Sequence, residues 1–208
     1  MLDAHTLILF LPAALVIALA PGPGLFYVAA RALAGGRREG LLSSLGTALG
    51  GLVHVVALAG GLSALVMASA ELFTAIKLAG CAYLVWLGVT TIRQAGQPLP
   101  VAAAARGARR AFRDGVMVEA LNPKTAAFFL AFIPQFADPA HGTIALQVIA
   151  LGALSVALNT AADLAAVVLV ARVRRTVALR PALMRRLRQG AGMVLCSLGL
   201  SLAFARRA

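Results

Sequence analysis

Six apolar stretches, residues 6–30, 41–67, 72–92, 115–136, 144–171 and 191–205, divide almost the whole chain into segments near the ~20 residues that cross a bilayer as a helix. A chain patterned this way has few folds open to it. In lipid the backbone must satisfy its own hydrogen bonds, so each stretch is expected to be helical and the fold to be all-α and polytopic. Composition agrees. Hydrophobic residues make up 61% and charged residues 12%, against about 25% charged in soluble domains. Aromatics are only 6%, mean hydropathy is +0.91, and the many small residues suit close helix packing in lipid. One domain over residues 1–208 is expected, with halves 1–92 and 115–208 joined by a linker at 93–114.

The charges follow the same division. The first connecting segment carries Arg31, Arg37 and Arg38, and the third carries Arg93, Arg106, Arg109, Arg110 and Arg113. The fifth carries Arg172, Arg174, Arg175, Arg180, Arg185, Arg186 and Arg188, making fifteen of the nineteen Lys and Arg residues on one side. The second and fourth carry none. Positive-inside bias therefore places the odd segments in the cytoplasm and the N-terminus outside; only Arg206 and Arg207 count against this. A formal charge of +12 that is segregated into loops argues against a nucleic-acid partner. Cys81 and Cys196 stand alone in apolar runs, which supports neither a disulfide nor a zinc site. Ala18-Leu19-Ala20 resembles a signal-peptide cleavage site. No basic residue precedes it and the apolar run continues beyond it, so an uncleaved first span is expected.

Two spans are broken by proline. In the first, "PGPG" places Pro21, Gly22, Pro23 and Gly24 roughly 22 Å along a helix that starts near Thr6. Pro21 strips the carbonyl of Ile17 of its helical donor, and Pro23 that of Leu19. In the fourth span Asn122-Pro123-Lys124 does the same to the carbonyl of Glu119, and Pro134 adds a shallower break. Lys124 lies roughly 13 Å from the cytoplasmic end, too deep to snorkel. Broken backbone in lipid is tolerated where it is buried in protein or lines a polar cavity. Three spans per half give the halves opposite orientation. Interrupted helices at corresponding positions of a 3+3 inverted repeat are the best sequence pointer to a transporter's central site.

Other polar residues lie deep in the spans. Gly46, Gly50, His54, Ala57 and Gly61 share one helical face, which reads either as a packing seam with His54 bonded across it or as a functional histidine. Gly152, Ser155, Asn159 and Asp163 share another. An ionised Asp costs ~2.5–3.5 kcal/mol near mid-bilayer. The thirteen Leu, Ile and Val residues from Ile144 to Val170 return roughly 4 to 8 kcal/mol, so the span inserts with its acid retained. Asp163 is then either functional or the partner of Lys124 in a structural ion pair. The chain has no GxSxG, HExxH or phosphate-loop spacing, so an intramembrane enzyme built on Glu119, Asp163 and His54 is disfavoured, and no cofactor or metal is expected.

"PGPG" in the first span, Gly46, Gly50 and His54 as "GxxxGxxxH", and "ALNPKTAAFFLAFIPQF" from Ala120 to Phe136, in this order and with six spans, resemble the LysE/RhtB superfamily across the whole chain. The resemblance implies a multi-pass protein of the bacterial inner membrane that exports amino acids or related metabolites, driven by the proton gradient. Its lysine and arginine exporters carry an acid in the second span and another soon after the Asn-Pro, where this chain has His54 and Phe128. That departure points to the homoserine, threonine and leucine side. A zwitterion needs donors and acceptors together. The N–H groups of the helix restarting after Pro123, with Lys124, are expected to hold its carboxylate. The carbonyls freed by Pro21 and Pro23, with Asp163 and Asn159, are expected to hold its ammonium. Asp163, Glu119 and His54 are the candidate proton carriers, and a homo-oligomer is compatible with this reading.

Overall fold

The structure, a computed structural model, describes residues 4–68, 70–97, 105, 107–173 and 181–204. These form helices α1 (Ala4–Leu19), α2 (Pro23–Ala68), α3 (Ala70–Arg93), α4 (Ala108–Ala120), α5 (Pro123–Ala131), α6 (Ile144–Val173) and α7 (Pro181–Phe204). Short 3₁₀ turns at Ile133–Phe136 and Pro139–His141 join α5 to α6, and no strand forms among the described residues. By length and composition two helical stretches among the described residues can cross a membrane, Pro23–Gly61 and Ile144–Val170. The pair Ala108–Ala120 and Pro123–Phe136, bent by 44°, makes a third, and Thr6–Leu19 is a shorter apolar helix. Outward-facing residues such as Leu49, Val56, Trp86, Leu146 and Leu169 leave an apolar exterior that lipid solvates and water would not.

The first arginine-bearing segment departs from the sequence reading. It is helical, and only Gly36 interrupts α2, at φ 77° and ψ −170°. A left-handed φ is cheap for glycine alone, and here it lets the chain turn back on itself. Arg31 consequently ends up buried instead of in an open loop. Two helices also reach further than the hydropathy pattern suggested. α4 begins within the expected linker because its buried side, Ala111, Gly115 and Glu119, recurs every four residues while Arg109, Arg110 and Arg113 face out. α7 begins at Pro181, a favourable first helical residue, and takes Arg185, Arg186 and Arg188 into its opening turns. Arg106, Arg174, Arg175, Arg180, Arg206 and Arg207 lie outside the described residues, as does the side chain of Arg172.

Small residues set the packing. Gly46 and Gly50 of α2 lie against the carbonyls of Phe112 and Val116, and Gly115 of α4 against that of Ser43. A methyl group on any of the three would overlap backbone, so α2 and α4 meet along a glycine seam. Gly61 is not part of it, having open space where a Cβ would stand. α3 and α7 pack the same way through Gly88, Gly192 and Gly199. The apolar core gathers on α5 and the turn after it. Phe10 and Phe128 flank Phe132 with ring centroids 5.5 and 4.8 Å away, and Phe129 faces His54. α5 packs against α3 and α2, and Lys124 in its first turn reaches the end of α1.

Candidate functional site

At the second break the chain satisfies its own backbone. Asn122 is the N-cap of α5, its Oδ1 accepting from the Lys124 amide at 3.0 Å. Pro123 occupies the first helical position, where its missing N–H costs nothing. The Asn122 amide donates to the carbonyl of Glu119 and the Ala126 amide to that of Asn122, each at 3.0 Å. The N–H groups expected to stay free for a ligand are therefore mostly consumed, and the Thr125 amide is the first-turn donor this leaves over.

The first break is completed from elsewhere. α1 ends with the Ala20 amide donating to the carbonyls of Val16 and Ile17 at 3.0 and 3.2 Å, and α2 restarts at Pro23. Lys124, buried on α5, donates from Nζ to the carbonyls of Ile17 at 3.0 Å and Ala20 at 2.8 Å. Gly22 leaves the room this lysine needs, since a Cβ there would stand 3.1 Å from its Nζ. The Ile17 carbonyl is the one Pro21 strips, and its new partner is the protein's own ammonium group, where the sequence suggested a substrate's.

Two acids complete the cluster. Glu119 Oε2 accepts from Asn122 Nδ2 at 2.9 Å and Oε1 from Thr125 Oγ1 at 2.6 Å, so both oxygens are engaged. Gly24 packs directly on this carboxylate, and a Cβ there would overlap it. Asp163 of α6 accepts at Oδ2 from Thr47 Oγ1 of α2 at 2.8 Å. Thr47 is thus its close partner in place of Lys124, whose ammonium is turned to the carbonyls of α1. His54 Nε2 lies 2.9 Å from the Glu119 carbonyl, which can only accept, so the ring donates across the glycine seam.

Gly24, Glu119, Asn122, Lys124, Asn159 and Asp163 line one cavity between α2, α4, α5 and α6. Pro21, Gly22, Pro23, Pro123 and His54 are not among the residues that line it. Thr47, Thr125 and Thr160 line it too and were not singled out from the sequence. Each directly follows a residue that was, namely Gly46, Lys124 and Asn159. A helical neighbour points about 100° away, so adjacency alone could not select them. The cavity is about 30 Å³, room for roughly two waters, so an amino acid enters only if the helices part. It presents one cation and two carboxyl groups in a setting where unpaired charge is costly.

The LysE type translocator family model matches residues 15–206. An uncharacterized membrane protein of Vibrio cholerae is 32% identical over 207 residues, 99% of this chain and 100% of that one. The homoserine/homoserine lactone efflux protein of Salmonella typhimurium is 30% identical over 194 residues, 93% of each chain. The leucine efflux protein of Klebsiella pneumoniae is 30% identical over 135 residues, 62% of each. No solved structure matches.

Proposed function

The chain belongs to the LysE type translocator family, and on that premise we propose that it exports neutral amino acids or close derivatives, of the homoserine, threonine or leucine kind, by exchange for protons. The family is one of membrane transporters, and its named relatives here are efflux proteins, not enzymes. The observation that carries the proposal is the charge pattern of the cavity, with a lysine on one wall and carboxyl groups on two others, at the meeting point of two broken helices. A zwitterion fits such a pattern. Lys124 spends two of its three hydrogens on α1, and its third, with the Thr125 amide, is available to a substrate carboxylate. Asp163 and Asn159 on α6 take the ammonium. A cationic side chain would find only Glu119, whose two oxygens are already engaged, because His54 and Phe128 stand where the dibasic exporters carry their acids, and Phe128 is sealed in the aromatic core.

Asp163 is the proton carrier in this scheme. Glu119 already accepts a hydrogen bond at each oxygen, so a proton on it would have to reverse the Thr125 bond or displace Asn122, the residue that caps α5. Asp163 accepts at one oxygen from a neutral donor, Thr47, and lines the cavity where a substrate ammonium would arrive. The substrate ammonium displaces the proton of Asp163, and a proton from outside replaces the ammonium after release. The membrane is the bacterial inner membrane, crossed by six spans with the N-terminus in the periplasm, and a homo-oligomer is compatible with the scheme.

Overproduction is expected to lower intracellular homoserine, threonine or another neutral amino acid and to raise resistance to its analogue, with lysine and arginine retained. Strong arginine efflux with no response to neutral amino acids overturns the substrate class. Reporter fusions near Arg106 and Arg180 are expected to read cytoplasmic, and those near Ser69 and Pro139 periplasmic. A periplasmic reading at Arg180 reverses the orientation.

A further inference from the structure

Arg31 and Glu39 are eight residues apart, about 12 Å along a continuous helix. Because the chain turns back at Gly36, Arg31 Nη1 comes to lie 3.7 Å from Glu39 Oε2, with only 4% and 7% of the two side chains exposed. Glu39 Oε1 accepts from the Gly107 amide at 2.8 Å, which fastens the turn to the start of α4. Its Oε2 is buried and accepts no hydrogen bond among the described residues. The guanidinium nitrogen nearest to it stands beyond hydrogen-bond reach. Burying two charges is repaid only by close, saturated geometry, and this contact is neither close nor saturated at Glu39 Oε2. It leaves a buried anionic oxygen facing a buried cation, with capacity at the oxygen for a further donor.

The pair also has a telling position. Gly24, on the cavity wall, is seven residues before Arg31, and Thr47 is eight after Glu39, so the pair sits roughly 10–12 Å from the cavity toward the Gly36 turn. An apolar cluster of Val28, one turn nearer the cavity, with Ala32 and Val167 beside the pair, packs around this end. In the orientation proposed above this is the cytoplasmic side, from which an exporter loads.

We infer that Arg31 and Glu39 form an admission site for the zwitterionic head of an amino acid, distinct from the central cavity. The guanidinium takes the α-carboxylate, a pairing that can be bidentate, and Glu39 Oε2 takes the α-ammonium. The site reads the part common to all α-amino acids and leaves the choice among side chains to the cavity. It rests on the export reading and its orientation.

Everted membrane vesicles present the cytoplasmic face and right-side-out vesicles the other, so the two faces can be assayed separately with L-homoserine. Arg31→Lys and Glu39→Asp keep both charges and alter only reach and geometry. The expected result is a KM at the cytoplasmic face raised about tenfold in either variant, with maximal rate nearly unchanged and counterflow at the opposite face unaltered. An unchanged cytoplasmic KM in both variants overturns the site, and so does an equal rise at both faces, which is the mark of a merely structural pair. Should neither variant accumulate, hydrogen exchange of the wild-type protein decides. L-homoserine, and not the matching amine without a carboxylate, is expected to slow exchange over residues 28–41; no such difference overturns the site. Wild-type vesicles that move no neutral amino acid overturn the export reading and this site with it. Normal wild-type transport with unaltered variants overturns the site alone.

Discussion

The two proline breaks solve one problem in opposite ways. At Pro123 the repair is local. Asn122 caps the new helix with its side chain, its own amide returns to Glu119, and its Nδ2 holds the Glu119 carboxylate. At Pro21 the repair is mainly distant: the Ala20 amide reaches back to the Ile17 carbonyl at 3.2 Å, but that carbonyl and the one of Ala20 are both served more closely by a lysine more than a hundred residues further along the chain. A break that heals itself is rigid whatever its surroundings do. One that borrows its donor holds its shape only while α1 and α5 stay together. The end of α1 is therefore the partner expected to move and α5 the one expected to stay, which suits a cavity too small to admit a substrate until helices part.

The largest effect is expected from Lys124→Met, which deletes the borrowed donor without changing the volume much. Hydrogen bonds from a charged donor are worth about 1.5–3 kcal/mol each, so losing both costs several kcal/mol and any substrate-carboxylate contact with them. Efflux should vanish, with reduced thermal stability in detergent. Lys124→Arg should not rescue it, because the planar fork cannot reproduce the point charge in the space beside Gly22. Wild-type efflux in Lys124→Met breaks the comparison outright, since the first break would then need no partner.

Next comes Asp163→Asn, which tests whether the proton carrier stands apart from both breaks. Gradient-driven transport is expected to be lost while counterflow without a gradient survives, since the amide oxygen of the substituted side chain can still accept from Thr47 and from a substrate ammonium. Glu119→Gln should behave differently and lose both. Its carboxylate holds the capping Asn122, and an amide can accept at only one of the two positions, so either the Asn122 bond is lost or the Thr125 bond must reverse. Gradient-driven transport at the wild-type rate in Asp163→Asn removes Asp163 as the carrier.

Much of this was legible in the sequence because proline chemistry is local. Pro21 and Pro123 name the carbonyls they strip and the places where a helix must restart, and the structure restarts helices at Pro23 and Pro123. The polar residues picked out for their depth, Glu119, Asn122, Lys124, Asn159 and Asp163, line one cavity. What a stripped carbonyl bonds to instead is a question of tertiary contact, so the sequence left the Ile17 carbonyl to a substrate when Lys124 holds it. Gly36 was illegible for a similar reason. Gly35-Gly36 among arginines reads as an ordinary loop, and only the pairing of Arg31 with Glu39 reveals a tight reversal with buried charge. α4 and α7 were read short because arginines ended the apolar runs, although arginine is a good helix former wherever one face stays outside.

Asn122→Ala tests the self-healing break and should be milder than Lys124→Met. An N-cap is worth about 1 kcal/mol, and the same change takes one of two donors from Glu119. A modest fall in thermal midpoint and a partial loss of efflux are expected, with proton coupling retained. A loss as large as that of Lys124→Met would mean the second break is no more autonomous than the first.

The smallest effect is expected at His54, and it decides what the glycine seam is for. Its ring reaches across the seam to the Glu119 carbonyl and lies beside Phe129, outside the cavity. Because a carbonyl has no hydrogen to give, Nε2 must carry the proton of this bond in the resting state. A glutamine amide can donate to the same carbonyl, so His54→Gln keeps the bond while removing the imidazole. Side-chain hydrogen bonds between helices in bilayers average about 0.6 kcal/mol, so the variant should retain efflux within about threefold of wild type. Gradient-driven transport should keep its ratio to counterflow. If instead His54→Gln lost the gradient-driven component and kept counterflow, the proton would have to pass through the seam and Asp163 would lose its role. The second break would then carry the coupling as well as the cap, and the difference between a rigid break and a borrowed one would no longer separate structure from transport.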